Sequence, residues 1–152
     1  VARHEAVIPS YLQVIGAVAR LLDKAEAFCA ENGMAPETLI QTRLADDMQP
    51  FAYQVKSVVV HSLGSIEGVR CGEFSPDTSL PPATFDGLRE RLATARQGLE
   101  AVTVEEMESF EAKPMVFAFG AHRIDFTAVN FLLSFSQPNF YFHATTAYDI
   151  LR

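Results

Sequence analysis

Four stretches of this chain repeat their apolar residues at intervals of three and four, which restricts each to a helix with one buried face. In the first, opened near Pro9 and closed by Asn32-Gly33, the stripe is Ile8, Leu12, Ile15, Ala19 and Leu22. The second covers 46–70, with Met48, Phe51, Val55, Val58, Ser62, Ile66 and Val69 inward. Beside it runs a row at seven-residue spacing, Asp47, Gln54, His61 and Gly68, three of whose members are polar. Thr84 caps the third helix, whose stripe is Phe85, Leu88, Leu92, Ala95, Leu99 and Val102. The fourth runs from Thr127 to the end, with Leu132, Phe135, Asn139, Phe142, Thr146 and Ile150 in one row. Phe131, Phe140, Tyr141, Ala147 and Leu151 make its other sides apolar, and Pro138 predicts a kink.

The connections carry different signals. Pro36 opens a short turn of helix, 73–82 reads as a loop, and Thr103 caps a short helix through Val104 to Phe110. The period then falls to two: Met115, Phe117 and Phe119 alternate, 120–123 turn, and Ile124 and Phe126 alternate again, which predicts a β-hairpin. The fold expected is mainly all-α, an antiparallel four-helix bundle with a small β-hairpin before the last helix, forming one domain over 1–152. An irregular α+β domain organised around the hairpin is the alternative.

Charge narrows the partners. The formal net charge is −7 and the 12 Lys and Arg are scattered, so neither nucleic acid nor an anionic membrane surface is an expected partner. No run of about 18 apolar residues stands out as a membrane span, and the greasy 131–142 is interrupted by Ser134, Ser136, Gln137, Pro138 and Asn139. Cys29 and Cys71 stand alone, which fits a reducing, cytoplasmic setting. Val1 is not an initiator methionine, so a preceding segment is left open.

Few residues offer chemistry. Asn139 and His143 are one turn apart on one helical face, and His61 borders the core row of the second helix. In a bundle interior, two imidazoles and an amide oxygen can hold a divalent ion such as zinc or nickel. The same residues also read as core histidines bonded to backbone or hydroxyl partners. Asp47, Gln54 and His61 cannot share one ion, since seven helical residues rise about 10.5 Å. Arg43 and Asp47 read as an ion pair, His122 as solvated, and Gly64 and Gly68 as sites of close helix packing. Tyr148 adds a phenol near the end of the chain. There is no Gly-rich phosphate loop and no HExxH.

Arg43-Leu44-Ala45-Asp46-Asp47-Met48, Gln54-Val55, the block Pro138-Asn139-Phe140-Tyr141-Phe142-His143-Ala144-Thr145-Thr146-Ala147-Tyr148 and Leu151-Arg152 resemble a family of uncharacterised domains. That family is similar to the DinB/YfiT-like metalloenzymes. The resemblance covers nearly the whole chain and implies the DinB-like bundle, often dimeric, with a further tail after Arg152. Metal-binding members of that superfamily use one His on the second helix and a His-x-x-x-His pair on the fourth, and some are thiol-dependent transferases or isomerases. His143 matches the second His of the pair, Asn139 stands at the first, and His61 or Gln54 matches the helix-two ligand.

Three functions follow as expectations. One is a protein that binds a small apolar molecule in a Phe-rich pocket, with His61, Asn139, His143, Gln54 and Tyr148 as polar contacts. Another is a metal-dependent transferase or isomerase with a degenerate His61/Asn139/His143 site, any zinc or nickel being weakly held because Asn139 replaces an imidazole. The last is a structural protein without a site. A homodimer is expected because the fourth helix and the hairpin carry more apolar surface than one core uses.

Overall fold

The computed structural model describes residues 2–152. Its elements are α1 (Arg3–Glu31), α2 (Pro36–Ile40), α3 (Phe51–Val60), α4 (Leu63–Cys71), β1 (Glu73–Phe74), α5 (Phe85–Glu100), α6 (Val104–Ser109), β2 (Pro114–Phe119), β3 (His122–Thr127) and α7 (Ala128–Asn130). A π-helical segment, Phe131–Ser136, then leads into α8 (Gln137–Leu151). The protein is mainly helical: α1 packs on α5 and α8, and α3 packs on α8 and α5, enclosing one core. The stripe expected on α5 is buried from Phe85 to Val102, and Thr84 and Thr103 cap their helices by accepting from the amides of Gly87 and Glu106.

Several boundaries differ from the sequence reading. α1 begins six residues before Pro9 and runs through it. The carbonyl that loses its helical partner to the proline belongs to Glu5, an exposed residue. By length and composition α1 also holds a window apolar enough to cross a membrane; here its apolar stripe lies in the core. The second helix starts only at Phe51, after Pro50, and it is not continuous. It breaks at His61 and Ser62, where Ser62 has φ −111° and ψ −87° and its hydroxyl donates to the Val58 carbonyl at 2.7 Å. Arg43 does not pair with Asp47; its guanidinium donates to the Met48 carbonyl at 2.6 Å.

The hairpin forms as expected, and a strand from the presumed loop joins it. β1 pairs parallel to β2, with Phe74 beside Phe117, and β2 pairs antiparallel to β3, with Met115 opposite Phe126. β1 follows α4 at once because Gly72 takes the left-handed conformation, φ +86°, that ends that helix. Gly68, read as a helix-packing residue, instead lies under the sheet. A Cβ there would come within 3.2–3.3 Å of Phe74, the Glu73 carbonyl and Met115. Gly64 makes no such close approach.

The π segment changes which side of the last helix faces inward. Gln137 donates its amide to Leu132, five residues back, so the wider turn shifts the register of everything after it. The buried row becomes Leu132, Ser136, Phe140, Ala144 and Ala147, and Phe142, expected inside, is 55% exposed. Pro138 falls in the first turn of α8, where its missing N–H is tolerated.

One hydrogen-bond chain ties these irregularities together. The Ser136 hydroxyl donates to the His61 carbonyl at 2.6 Å, and the buried Tyr11 phenol donates to the Ser136 oxygen. Ser136→Ala would leave both that carbonyl and the phenol without partners. A loss of roughly 2–4 kcal/mol is expected in urea unfolding, against about 1–2 kcal/mol for Tyr11→Phe. Equal losses, or additive ones in the double variant, would show that the two bonds are not one unit.

Candidate functional site

Where α3 packs on α8, the polar row of one helix meets the polar turn of the other. His143 donates its Nδ1–H to Gln54 Oε1 at 2.7 Å, and Gln54 Nε2 donates to the Gln49 carbonyl at 3.0 Å. The His61 ring lies nearly parallel to that of His143, 8° between planes with centroids 5.4 Å apart. His61 Nδ1 is buried and has no hydrogen-bond partner. Asn139 turns its amide nitrogen back to the Phe135 carbonyl of its own helix at 2.7 Å.

His61, Asn139 and His143 line a cavity of about 230 Å³, with Gln54 behind His143. Its walls include Tyr53, Phe74, Phe117 and Phe135; Phe74 and Phe135 both stand 5.8 Å from the His61 ring. In the same wall, Lys56 is 1% exposed although it carries a charge. It donates to the carbonyls of Asp77 (2.7 Å) and Ser79, and lies 3.5 Å from the Asp77 carboxylate. Lys56 thereby staples the 75–82 loop against α3.

His61, Gln54, Asn139 and His143 therefore come together, and Tyr148 does not join them. Five residues beyond His143, Tyr148 is turned about 140° around the helix. It is 45% exposed and accepts from the Arg152 guanidinium at 3.3 Å. Sequence reasoning missed Lys56, Tyr53, Phe74 and Asp77. The available signal was the one charged side chain within the largely apolar run Phe51 to Val60.

Burial lowers the pKa of both imidazoles to about 4; for His61, the neighbouring His143 adds to the effect. At neutral pH the site therefore holds two uncharged rings. The donor set is short for a resident divalent metal. The two imidazoles are in the ligating, neutral form, but Asn139 adds only a carboxamide oxygen, and Asp77, the carboxylate lining the cavity, is engaged by Lys56 and by the Ser79 amide and hydroxyl. The buried Lys56 ammonium opposes a second cation in the same wall. Among the described residues, no three His, Cys, Asp or Glu side chains are grouped to hold an ion.

This arrangement sits in a fold seen before. A DinB family member protein from Shewanella denitrificans has the same fold, with a TM-score of 0.81 at 22% identity over 98% of this chain and 84% of that one. The chain belongs to the DUF1993 family, a domain of unknown function, whose model matches residues 4–152. No curated protein matches it.

The depressed histidine pKa values set a direction for stability. In the unfolded chain both rings take up protons near pH 6.5, and in the folded protein only near pH 4. Their contribution is thus fully present above about pH 6.5 and is lost as pH falls toward 4. At about 1.4 kcal/mol per pH unit, each ring costs roughly 2–3 kcal/mol across that window. Urea unfolding at pH 7 and pH 4.5 should show this loss, and the double variant His61→Gln, His143→Gln should flatten it. Identical pH slopes in both proteins would contradict the assignment.

Proposed function

We propose that this chain binds a small molecule with an apolar or aromatic body in the cavity between α3 and α8, with His61, Asn139 and His143 as its polar anchors. The observation that carries this reading is the cavity of about 230 Å³ in which His61, Asn139 and His143 share one lining with Tyr53, Phe74, Phe117 and Phe135. The ring-lined walls supply apolar contact, and the neutral imidazoles fix orientation, the usual division of labour in a ligand pocket. Titrating a panel of single-ring fragments while following side-chain NMR signals tests it. A binder should perturb His61, His143 and Phe135 together, and His143→Ala should weaken it tenfold or more while the fold is retained. Perturbations confined to the groove between α1 and α8 lined by Val14, Leu21, Tyr141 and Tyr148, with this cavity silent, would refute it.

We further propose that the protein works as a homodimer. Phe119 and Ile124 at the hairpin tip are 53% and 51% exposed, and Tyr141 and Phe142 also point outward from α8. Apolar surface left over by a core is commonly covered by a two-fold copy. Sedimentation at micromolar concentration should give twice the chain mass, with a shift to the monomer for Phe119→Ser, Phe142→Ser. A monomer in the unmodified protein would refute the dimer.

A further inference from the structure

The orientation of Gln54 fixes more than the position of His143. The Gln49 carbonyl can only accept, so the Gln54 group facing it at 3.0 Å is the amide nitrogen. The Gln54 oxygen therefore faces His143, and it too can only accept. The proton of the neutral imidazole must then lie on Nδ1, which leaves Nε2 as a bare lone pair. A backbone carbonyl thus sets the tautomer of a ring one helix away through a single amide.

We infer that the cavity selects neutral ligands carrying a hydroxyl on an aromatic body, phenols and aryl alcohols, which donate their O–H to His143 Nε2. This rests on the small-molecule reading above and goes further by assigning the polarity of the contact. A carboxylate brings only acceptor oxygens, which meet the Nε2 lone pair with repulsion. An arylammonium brings a donor but also a charge with no free counter-ion, since the Asp77 carboxylate in the wall is already held by Lys56 and Ser79. A plain hydrocarbon fits the wall of Phe74, Phe117 and Phe135 and leaves the imidazole unpartnered. Gln54 acts here as a positioning residue: its role is carried out through His143.

The test uses the whole chain at pH 7, with ¹⁵N-labelled histidine. Long-range nitrogen–proton spectra report the tautomer directly, and His143 should show protonated Nδ1 and unprotonated Nε2 in the free protein. Phenol and benzyl alcohol should bind and shift the Nε2 resonance. Benzoate and benzylamine should bind at least tenfold more weakly, and toluene should leave Nε2 unmoved. In Gln54→Leu, which removes the acceptor at Nδ1, the hydroxyl preference should fall to within threefold of benzoate. The inference is overturned if the free protein carries its proton on Nε2. It is equally overturned if benzoate binds the unmodified protein as well as phenol does. Should that variant unfold, the tautomer and the probe ranking in the unmodified protein still decide the matter. If none of the five probes binds, the small-molecule reading fails as a whole, an outcome distinct from binding with the wrong polarity.

Discussion

The Tyr11–Ser136–His61 hydrogen-bond chain is the constraint on which the rest of this structure depends. A helix that breaks inside a core strands a carbonyl, and buried backbone groups are almost never left unpaired. Here the stranded carbonyl belongs to His61, and the hydroxyl that satisfies it comes from the last residue of the π segment. The Tyr11 phenol closes the chain from α1, and its burial raises its pKa well above the ordinary tyrosine range, so it serves as a neutral hydrogen-bond donor. Three elements far apart in sequence are thereby locked at one point. The break frees α3 to pack on α5 and α8, while α4 turns toward β1 and the π segment. His61 sits at the corner, its backbone held from below and its ring turned to the cavity.

The aromatic end of the molecule follows from the same geometry. Each strand delivers one phenylalanine to the helices: Phe74 from β1, Phe117 from β2 and Phe126 from β3. All three approach Phe135, with ring centroids 5.2 to 6.0 Å away. Phe131 stacks on Phe135 at 5.1 Å. Phe135 also touches His61. A two-stranded hairpin is marginal alone, so this cluster anchors the sheet to the bundle while serving as one wall of the cavity. Folding and site formation draw on the same contacts, and the cavity cannot be emptied of aromatic rings without loosening the sheet.

Much of this was legible in the sequence, because helical stripes and a change of period report directly on burial. The α5 stripe, both threonine caps, the hairpin and the convergence of His61 with His143 all follow from spacing. The missed features share a physical origin: each replaces a local preference with a long-range bond. Nothing within 46–70 predicts the break at Ser62, because the residue that makes it tolerable is Ser136. Nothing around Pro138 identifies the π turn, and once that turn shifts the register, Phe142 and Phe140 exchange places. β1 is two residues long, too short for any period, and its pairing depends on β2. Tyr148 was placed by composition, and five helical residues carry it away from the cavity. Lys56 was hidden because its partners, the Asp77 and Ser79 carbonyls, are main-chain atoms of a loop that carries no pattern.

Asn139 decides the character of the site. The resemblance to DinB-like metalloenzymes implies an imidazole at this position, where its lone pair would join that of His143 on a cation. A carboxamide has donors as well as an acceptor, and here its nitrogen is used within its own helix, on the Phe135 carbonyl. What faces the cavity is then weaker as a ligand and carries no charge. The remaining groups change in the same sense. Gln54 binds His143 by an amide, which holds the ring in one tautomer without adding the negative charge that a carboxylate would supply behind a metal-bound imidazole. Burial keeps both rings neutral, and Lys56 places the local positive charge on the protein itself. Together they leave a set of oriented, uncharged hydrogen-bonding groups beside aromatic walls.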